Sequence, residues 1–285
     1  MQRVAEISLT ESNVDSVESL AYRARRHVVA MAGRGGCFIG SAFSCIDIIA
    51  CLYCDVMRID PQRLNAPERD YFLLSKGHAV PALYAVLVER GFFGRRRLDH
   101  HLQPSDDIYL HPNRNIPGIE FHSGSLGHAL AVGIGIALDI KLRKKSNRVF
   151  VLLGDGELNE GSVWESIMVA RAQQLDNLIA IVDRNRRQAN LPTESLVPLE
   201  PLSDKFAAFG WSVRECDGHD FKSLRTAFHP APARSNAPNA IIAHTARGRG
   251  IASIQDRANG WFMKLDEGQR LEFLAELDQS WETAR

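Results

Sequence analysis

An aspartate set between two glycines, Gly154-Asp155-Gly156, closes the apolar run "RVFVLL" at residues 148–153. Such a run reads as a buried parallel strand, and the carboxyl edge of these strands is where open α/β sheets take ligands. Glycines there let the backbone approach a ligand closely. A helix starting a few residues later would present unpaired N–H groups that favour an anion such as phosphate. A carboxylate in an anion site makes sense only if a cation stands between the two. The next apolar run, "NLIAIV", ends in Asp183-Arg184-Asn185, one helix and one returning strand further on, so the two strand ends can be neighbours. One carboxylate, one amide oxygen and a backbone carbonyl just beyond it are hard oxygen donors. They suit an octahedral Mg2+ that keeps positions for diphosphate oxygens and a water.

The elements that must hold these residues follow from hydrophobic spacing. Helices are expected over 13–32 and 44–57, separated by the glycine-rich "GRGGCFIGSAF". The segment "ERDYFLLSKGHAVPALYAVLVERG" reads as a short strand, a loop at 75–78 and a helix ending near Gly91. Residues 95–122, rich in His, Asn and Pro, read as an irregular excursion over the surface or over a site. Regular alternation then begins: helix 126–143, strand 148–153, helix 160–174, strand 177–183, helix 202–209, strand 211–216, helix 220–228 and strand 239–245. This order predicts an α/β fold, a parallel sheet with helices on both faces. It is expected as one domain over 1–285, with a helical extension at 1–60 and a terminal helical tail at 264–285. The stretch "HPAPARSNAPNA" at 229–240 reads as a surface loop.

Composition narrows the partners. With 34 basic residues against 34 acidic ones, no bulk charge favours nucleic acid or an anionic membrane. The apolar "LGHALAVGIGIALDIKL" is interrupted by His128 and Asp139 and is too short for a bilayer, so no membrane partner is expected and the ligand should be small. Five cysteines, an odd number, and an N-terminus without a signal-like apolar core point to a reducing, cytoplasmic setting. Cys51 and Cys54 form a CxxC with no second pair to complete a zinc site, and read as helix packing.

The glycine-flanked aspartate and the later asparagine form the thiamine diphosphate signature, and the surroundings resemble the N-terminal half of a transketolase. The resemblance runs through "LSKGHAVPALYAVL" (74–87), "SGSLGHALAVGIGIAL", "VLLGDGELNEGSVWE", "LDNLIAIVDRN", "AFGWSVRECDGHD" and "AIIAHTARGRG", six blocks in the family's order over some 200 residues. It implies a diphosphate-binding fold whose cofactors are thiamine diphosphate and Mg2+. Asp155, Asn185 and the carbonyl of Arg187 would ligate the metal. Gly154, Asp155, Gly156 and Glu157 would border the diphosphate, with the Gly156 N–H donating to it. Gly124, Ser125, Leu126 and Gly127 match the loop that meets the aminopyrimidine, and Glu160 an acid at the subunit contact near the cofactor. His78 matches the cofactor-side histidine and His111 a substrate-channel histidine; these two are the candidate catalytic groups. His122, His128 and His219 read as structural, and His100 and His101 as exposed.

A transketolase chain is more than twice this length, and its later half carries the pyrimidine-binding domain with the glutamate that activates the cofactor. The resemblance is therefore to the N-terminal subunit of a split transketolase, which needs a second polypeptide and assembles as a two-fold heterotetramer. Together they would move a two-carbon ketol unit from a ketose donor to an aldehyde acceptor. The alternatives are a pyruvate-using acyloin-forming or decarboxylating system, disfavoured by "GDGELNEGSVWE" and "SKGHA", and a non-catalytic cofactor-binding scaffold. Two departures matter. The family's "GHPGG" is "CFIGS" here, which puts Phe38 in place of a histidine when Asp47 sets the register, and its "GWHGKAP" is "GWFMKLD", which does the same at Phe262. Two donors lost to aromatic rings imply a less polar substrate channel and an acceptor that need not be an ordinary sugar phosphate.

Overall fold

The computed structural model describes residues 16–229, 236–257 and 260–283. Along the chain come α1 (Val17–Arg34), α2 (Ile39–Cys51), β1 (Tyr71–Leu74), α3 (Val80–Glu89), α4 (Ala129–Leu142), β2 (Val149–Gly154), α5 (Gly161–Ala172) and β3 (Leu178–Arg184). There follow a small hairpin of β4 (Arg187–Gln188) and β5 (Leu191–Pro192), then α6 (Thr193–Leu196), α7 (Leu202–Ala208), β6 (Ser212–Asp217), α8 (Phe221–Phe228), β7 (Asn239–His244) and α9 (Glu267–Thr283). Five strands form one parallel sheet in the order β1-β2-β3-β7-β6.

β2 and the bodies of β1, β3 and β7 are apolar because both faces are covered, whereas the edge strand β6 carries Arg214 and Glu215 and is only partly buried. In β2, Val149, Val151 and Leu153 enter one core with α4, α5 and α7, while Phe150 and Leu152 enter the other with α1, α2, α3 and α8. The chain steps β1, β2, β3 in one direction, jumps to the far edge at β6, then returns inward to β7. A right-handed crossover carries its helix to the opposite face when its direction reverses. Accordingly α5 packs in one core and α8 in the other. The reversal opens a crevice at the carboxyl ends of β3 and β7, where such sheets take ligands.

Each expected strand and helix from 126 onward is present within a few residues of its expected bounds. The expected linker at 229–240 falls partly outside the described residues, as does the segment before residue 16. The second helix differs: it starts at Ile39, five residues before the expected 44, inside the glycine-rich stretch. All thirteen of its residues are buried, so it has no polar face to give a period. Gly40 belongs inside it because a Cβ there would stand 2.4 Å from the Gly260 carbonyl oxygen. Among the described residues the stretch long and apolar enough to cross a membrane is Ile39–Val56, and 83% of it is buried inside the fold, as a core helix is.

Two glycines of α4 give a test of this packing. A Cβ on Gly133 would meet Val151 Cγ2 at 2.7 Å, whereas one on Gly135 would meet nothing within 4 Å. Gly133→Ala should therefore destabilise the chain by about 1–3 kcal/mol through overpacking. Gly135→Ala should stabilise it by about 0.5–1 kcal/mol through helix propensity. Urea unfolding of both variants checks the opposite signs.

Candidate functional site

At the carboxyl edge of the sheet an ion pair is sealed off from solvent. Lys76, just past β1, donates to Asp183 Oδ2 near the end of β3, and both are essentially fully buried. The same carboxylate accepts from Ser44 Oγ of α2 at 2.6 Å and from Thr245 Oγ1 after β7. Burial works against each charge, but each outweighs that for the other, so the Lys76 pKa is raised and the Asp183 pKa lowered. Asn185 Nδ2 also donates to Asp183 Oδ2, at 3.1 Å. That bond fixes the amide: its Oδ1 is left on the other side, accepting from Arg187 N at 3.0 Å.

Asp155, at the end of β2, is buried in the opposite condition. Its Oδ2 accepts from Arg184 Nη1 at 3.0 Å and Arg186 N at 2.5 Å. Burial, and then the nearby charge of Asp183, raise its pKa to about 6, even with Arg184 pulling the other way. The Gly156 N–H, expected to face a diphosphate, donates to Asp155 Oδ1 at 2.8 Å. Asp155 is the N-cap of the short 3-10 turn Gly156–Asn159, which folds that amide back onto its neighbour.

These groups face a cavity of about 260 Å3. Of the residues singled out in the sequence, His78, Leu126, Gly154, Asp155, Gly156, Glu157, Glu160, Asn185 and Arg187 line it. His78 Nε2 is 2.8 Å from Ser41 Oγ, and burial, with the Lys76 charge, pushes its pKa down to about 3. Glu157 reaches the wall with both oxygens engaged: Oε1 accepts from Ser75 Oγ and Gly127 N, Oε2 from Gly154 N. It thereby ties the loop carrying Gly124, Ser125 and Gly127 to the end of β2. Gly127 has φ +83°, and a Cβ there would strike Ser162 and Glu160. Ser125 is exposed beside this loop, and His111 is exposed and packs on Gly124; neither lines the cavity.

Phe38 and Phe262, 224 positions apart, touch: their rings are 5.1 Å apart and edge-on. Backbone pairing of the neighbouring Cys37 and Met263 brings them together. Phe38 also meets Trp261, which lines the cavity, at 5.0 Å and His78 at 5.4 Å. One expectation is corrected here: His101 is buried, with Nε2 3.0 Å from the Gly36 carbonyl oxygen beneath this wall. His219 is structural, hydrogen-bonded to Asp47 at 2.7 Å and accepting from Ala246 N. The cavity residues that sequence reasoning missed are Ser41, Lys76, Gln188, Ala189, Arg247 and Trp261. Lys76 and Arg247 lie inside the matched blocks "LSKGH" and "TARGRG", but nothing in their spacing marks them.

The donor set fits a hard divalent cation. Asp155 Oδ1 after β2, and Asn185 Oδ1 and the Arg187 carbonyl on the segment after β3, are oxygens of residues that line one cavity, and the raised pKa of Asp155 is what a carboxylate awaiting a cation would have. No group of three His, Cys, Asp or Glu able to hold a metal occurs among the described residues, so these donors are one carboxylate, one amide and one backbone carbonyl.

Comparison with known proteins gives a consistent picture. The family described as "Transketolase, thiamine diphosphate binding domain" matches residues 23–271. The chain is 36% identical over 243 residues to an apulose-4-phosphate transketolase subunit of Phocaeicola vulgatus, covering 85% of this chain and 86% of that one. It is 37% identical over 242 residues to the 6-deoxy-6-sulfo-D-fructose transketolase subunit SqwG of a Clostridium species, covering 85% and 88%. A transketolase structure from Leishmania mexicana has the same fold, with a TM-score of 0.81 at 24% identity, over 95% of this chain and 47% of that one. The chain thus spans less than half of that structure and most of the two subunit relatives.

If Asp155 holds the cation, protons must compete with it. Since its pKa is raised to about 6, Mg2+ affinity of the full chain should be level near neutral pH and fall about tenfold per pH unit below about 6. His78, neutral throughout this range, should contribute no break. Asn185→Ala should weaken Mg2+ binding without moving the break. Titration calorimetry against pH checks this; a break near 4, the ordinary carboxylate position, would contradict it.

Proposed function

Because the chain belongs to the transketolase family, with relatives that are single subunits of transketolases rather than whole ones, we propose that it is the N-terminal subunit of a two-component transketolase. In this reading it binds thiamine diphosphate and Mg2+ and, with a pyrimidine-binding partner, transfers a two-carbon ketol unit from a ketose to an aldehyde. The observation that carries it is the meeting of Asp155, Asn185 and Arg187 at one cavity beside the glycine-flanked strand end. When bound, thiamine diphosphate supplies the carbon nucleophile for breaking and making bonds beside a carbonyl. The chain's own residues position and neutralise: Asp155 Oδ1, Asn185 Oδ1 and the Arg187 carbonyl hold Mg2+, and the loop at Gly124–Gly127 receives the ring system. Neutral His78 offers a hydrogen bond to a substrate oxygen without adding charge.

A partner must supply the activating glutamate and the pyrimidine half. Glu160 at the cavity edge, and exposed Leu142, Met168 and Val169 on α4 and α5, suit a surface that a partner covers, in a two-fold heterotetramer. The five free thiols suit a cytoplasmic setting. Alone, the purified chain should show no ketol transfer, and coexpression with the complementary half should restore it. Turnover by the chain alone, with mass spectrometry excluding a host-derived partner, would refute the two-component reading.

The aromatic wall supports a changed substrate. Phe38 and Phe262 stand where two hydrogen-bond donors are expected, with Trp261 packed beside Phe38, and the names of two relatives carry an apulose phosphate and a sulfonated fructose. A polar substrate group desolvated without a partner costs roughly 1 to 3 kcal/mol, so two lost donors lower efficiency on common sugar phosphates by about 30- to 25,000-fold. Phe38→His and Phe262→His, singly and together in the assembled enzyme, should raise activity with xylulose 5-phosphate and ribose 5-phosphate relative to the native acceptor. Wild-type kinetics at ordinary transketolase efficiency on those sugars would sink the idea.

A further inference from the structure

Arg184, the last residue of β3, is buried behind the cavity rather than in its wall. Its Nη1 donates to Asp155 Oδ2 at 3.0 Å and to Thr193 Oγ1 at 2.8 Å, and its Nη2 to Glu194 Oε1 at 2.7 Å and Glu200 Oε1 at 2.8 Å. One positive charge thus serves three carboxylates, one sealed in the interior and two at the surface. The same contacts hold down residues 193–200. Glu194, in the first turn of α6, also accepts from Leu199 N at 3.2 Å and Glu200 N at 3.4 Å, and Glu200 accepts from Leu202 N at 2.9 Å where α7 begins. Leu196 and Val197 in the middle of this stretch are exposed, so its apolar anchor is Leu199, and the guanidinium supplies much of the rest.

Carboxylates that share one counter-ion compete for it. Removing the two glutamate charges would leave the guanidinium to Asp155 alone, where it opposes a second cation. Neutralising Asp155 from the cavity side would instead release Arg184 to the glutamates. We infer that Glu194 and Glu200 are positioning residues for the cation of this site, drawing Arg184 away from Asp155 so that its carboxylate stays available. By linkage the effect is reciprocal: cation binding tightens the 193–200 segment. The inference rests on the reading that Asp155 holds Mg2+.

Mg2+ alone, titrated calorimetrically into the full chain, tests this in wild type, in the double variant Glu194→Gln/Glu200→Gln, in Arg184→Met and in the triple variant. The double variant, changed only at exposed positions, should bind Mg2+ about 2- to 30-fold more weakly, as two partly exposed ion pairs allow. With Arg184→Met as the background, the same two substitutions should alter Mg2+ affinity by less than about twofold, the limit of additivity for independent sites. Hydrogen exchange at the Leu199, Glu200 and Leu202 amides is the second readout: saturating Mg2+ should slow it in wild type and leave it unchanged in Arg184→Met. An equal loss from the two glutamate substitutions with and without Arg184 would overturn the inference, since charge acting through space needs no intermediary. So would a double variant that binds Mg2+ as well as wild type does, or amides whose exchange ignores Mg2+. Should Arg184→Met fail to fold, the double variant and the wild-type exchange data decide without it. A wild type that takes up no Mg2+ would sink the cation reading itself, and this inference with it.

Discussion

The ligand edge depends on one buried contact, the Lys76–Asp183 ion pair. Four segments meet on it: α2 through Ser44, the end of β1 through Lys76, β3 through Asp183, and the turn after β7 through Thr245. A sealed ion pair adds little net stability, because desolvation offsets the attraction, but losing one partner leaves the other charge stranded. Its value here is positional: Asp183 orients the Asn185 amide, and its negative charge is one of the causes that make Asp155 hard to ionise. Two carboxylates on neighbouring strand ends are thus driven in opposite directions, one satisfied and kept charged, the other left short of positive charge. A divalent cation is the group that such an imbalance favours.

Around this charged floor the walls differ in character. One side is the glycine-lined loop braced by Glu157, which accepts two backbone N–H groups and so trades its own reactivity for rigidity. The other is the stack of Phe38, Trp261 and Phe262 over a backbone held by His101. Of these rings Trp261 lines the cavity itself, with Phe38 and Phe262 packed behind it, and a polar group buried against such rings without a partner is costly. The order of strands supplies the space between them, since only at the reversal between β3 and β7 do the flanking helices part to opposite faces.

Much of this is legible in the sequence, for a physical reason. Strands covered on both faces are continuous apolar runs, and the glycine and aspartates that close two of them mark the ligand edge; β2 and β3 with Asp155 and Asn185 are readable in that way. The start of α2 is not, because a helix buried all round has no period. The polar stretch around His101 points it to the surface, whereas in the fold it is buried and bonded to the Gly36 carbonyl, 65 positions away. The pairing of Lys76 with Asp183 spans 107 positions and leaves no local trace; each residue sits in a recognisable block, but not as half of an ion pair. Contact between Phe38 and Phe262 is also tertiary, set by a single pair of backbone hydrogen bonds between their neighbours.

Arg184 extends the site to the molecular surface. Besides Asp155 and Thr193, its guanidinium binds Glu194 and Glu200, which are 39% and 51% exposed. Dissolved salt weakens ion pairs that reach the surface, the screening length shrinking from about 10 Å at 0.1 M to about 3 Å at 1 M, but it screens a buried contact much less. Rising ionic strength therefore loosens the two outer carboxylates while leaving the inner one in place, and the shared guanidinium settles more firmly on Asp155. The buried carboxylate of Asp155 is in this way electrically continuous with the surrounding medium through one shared guanidinium: the same chain offers it in a more neutralised form in concentrated salt than in dilute buffer.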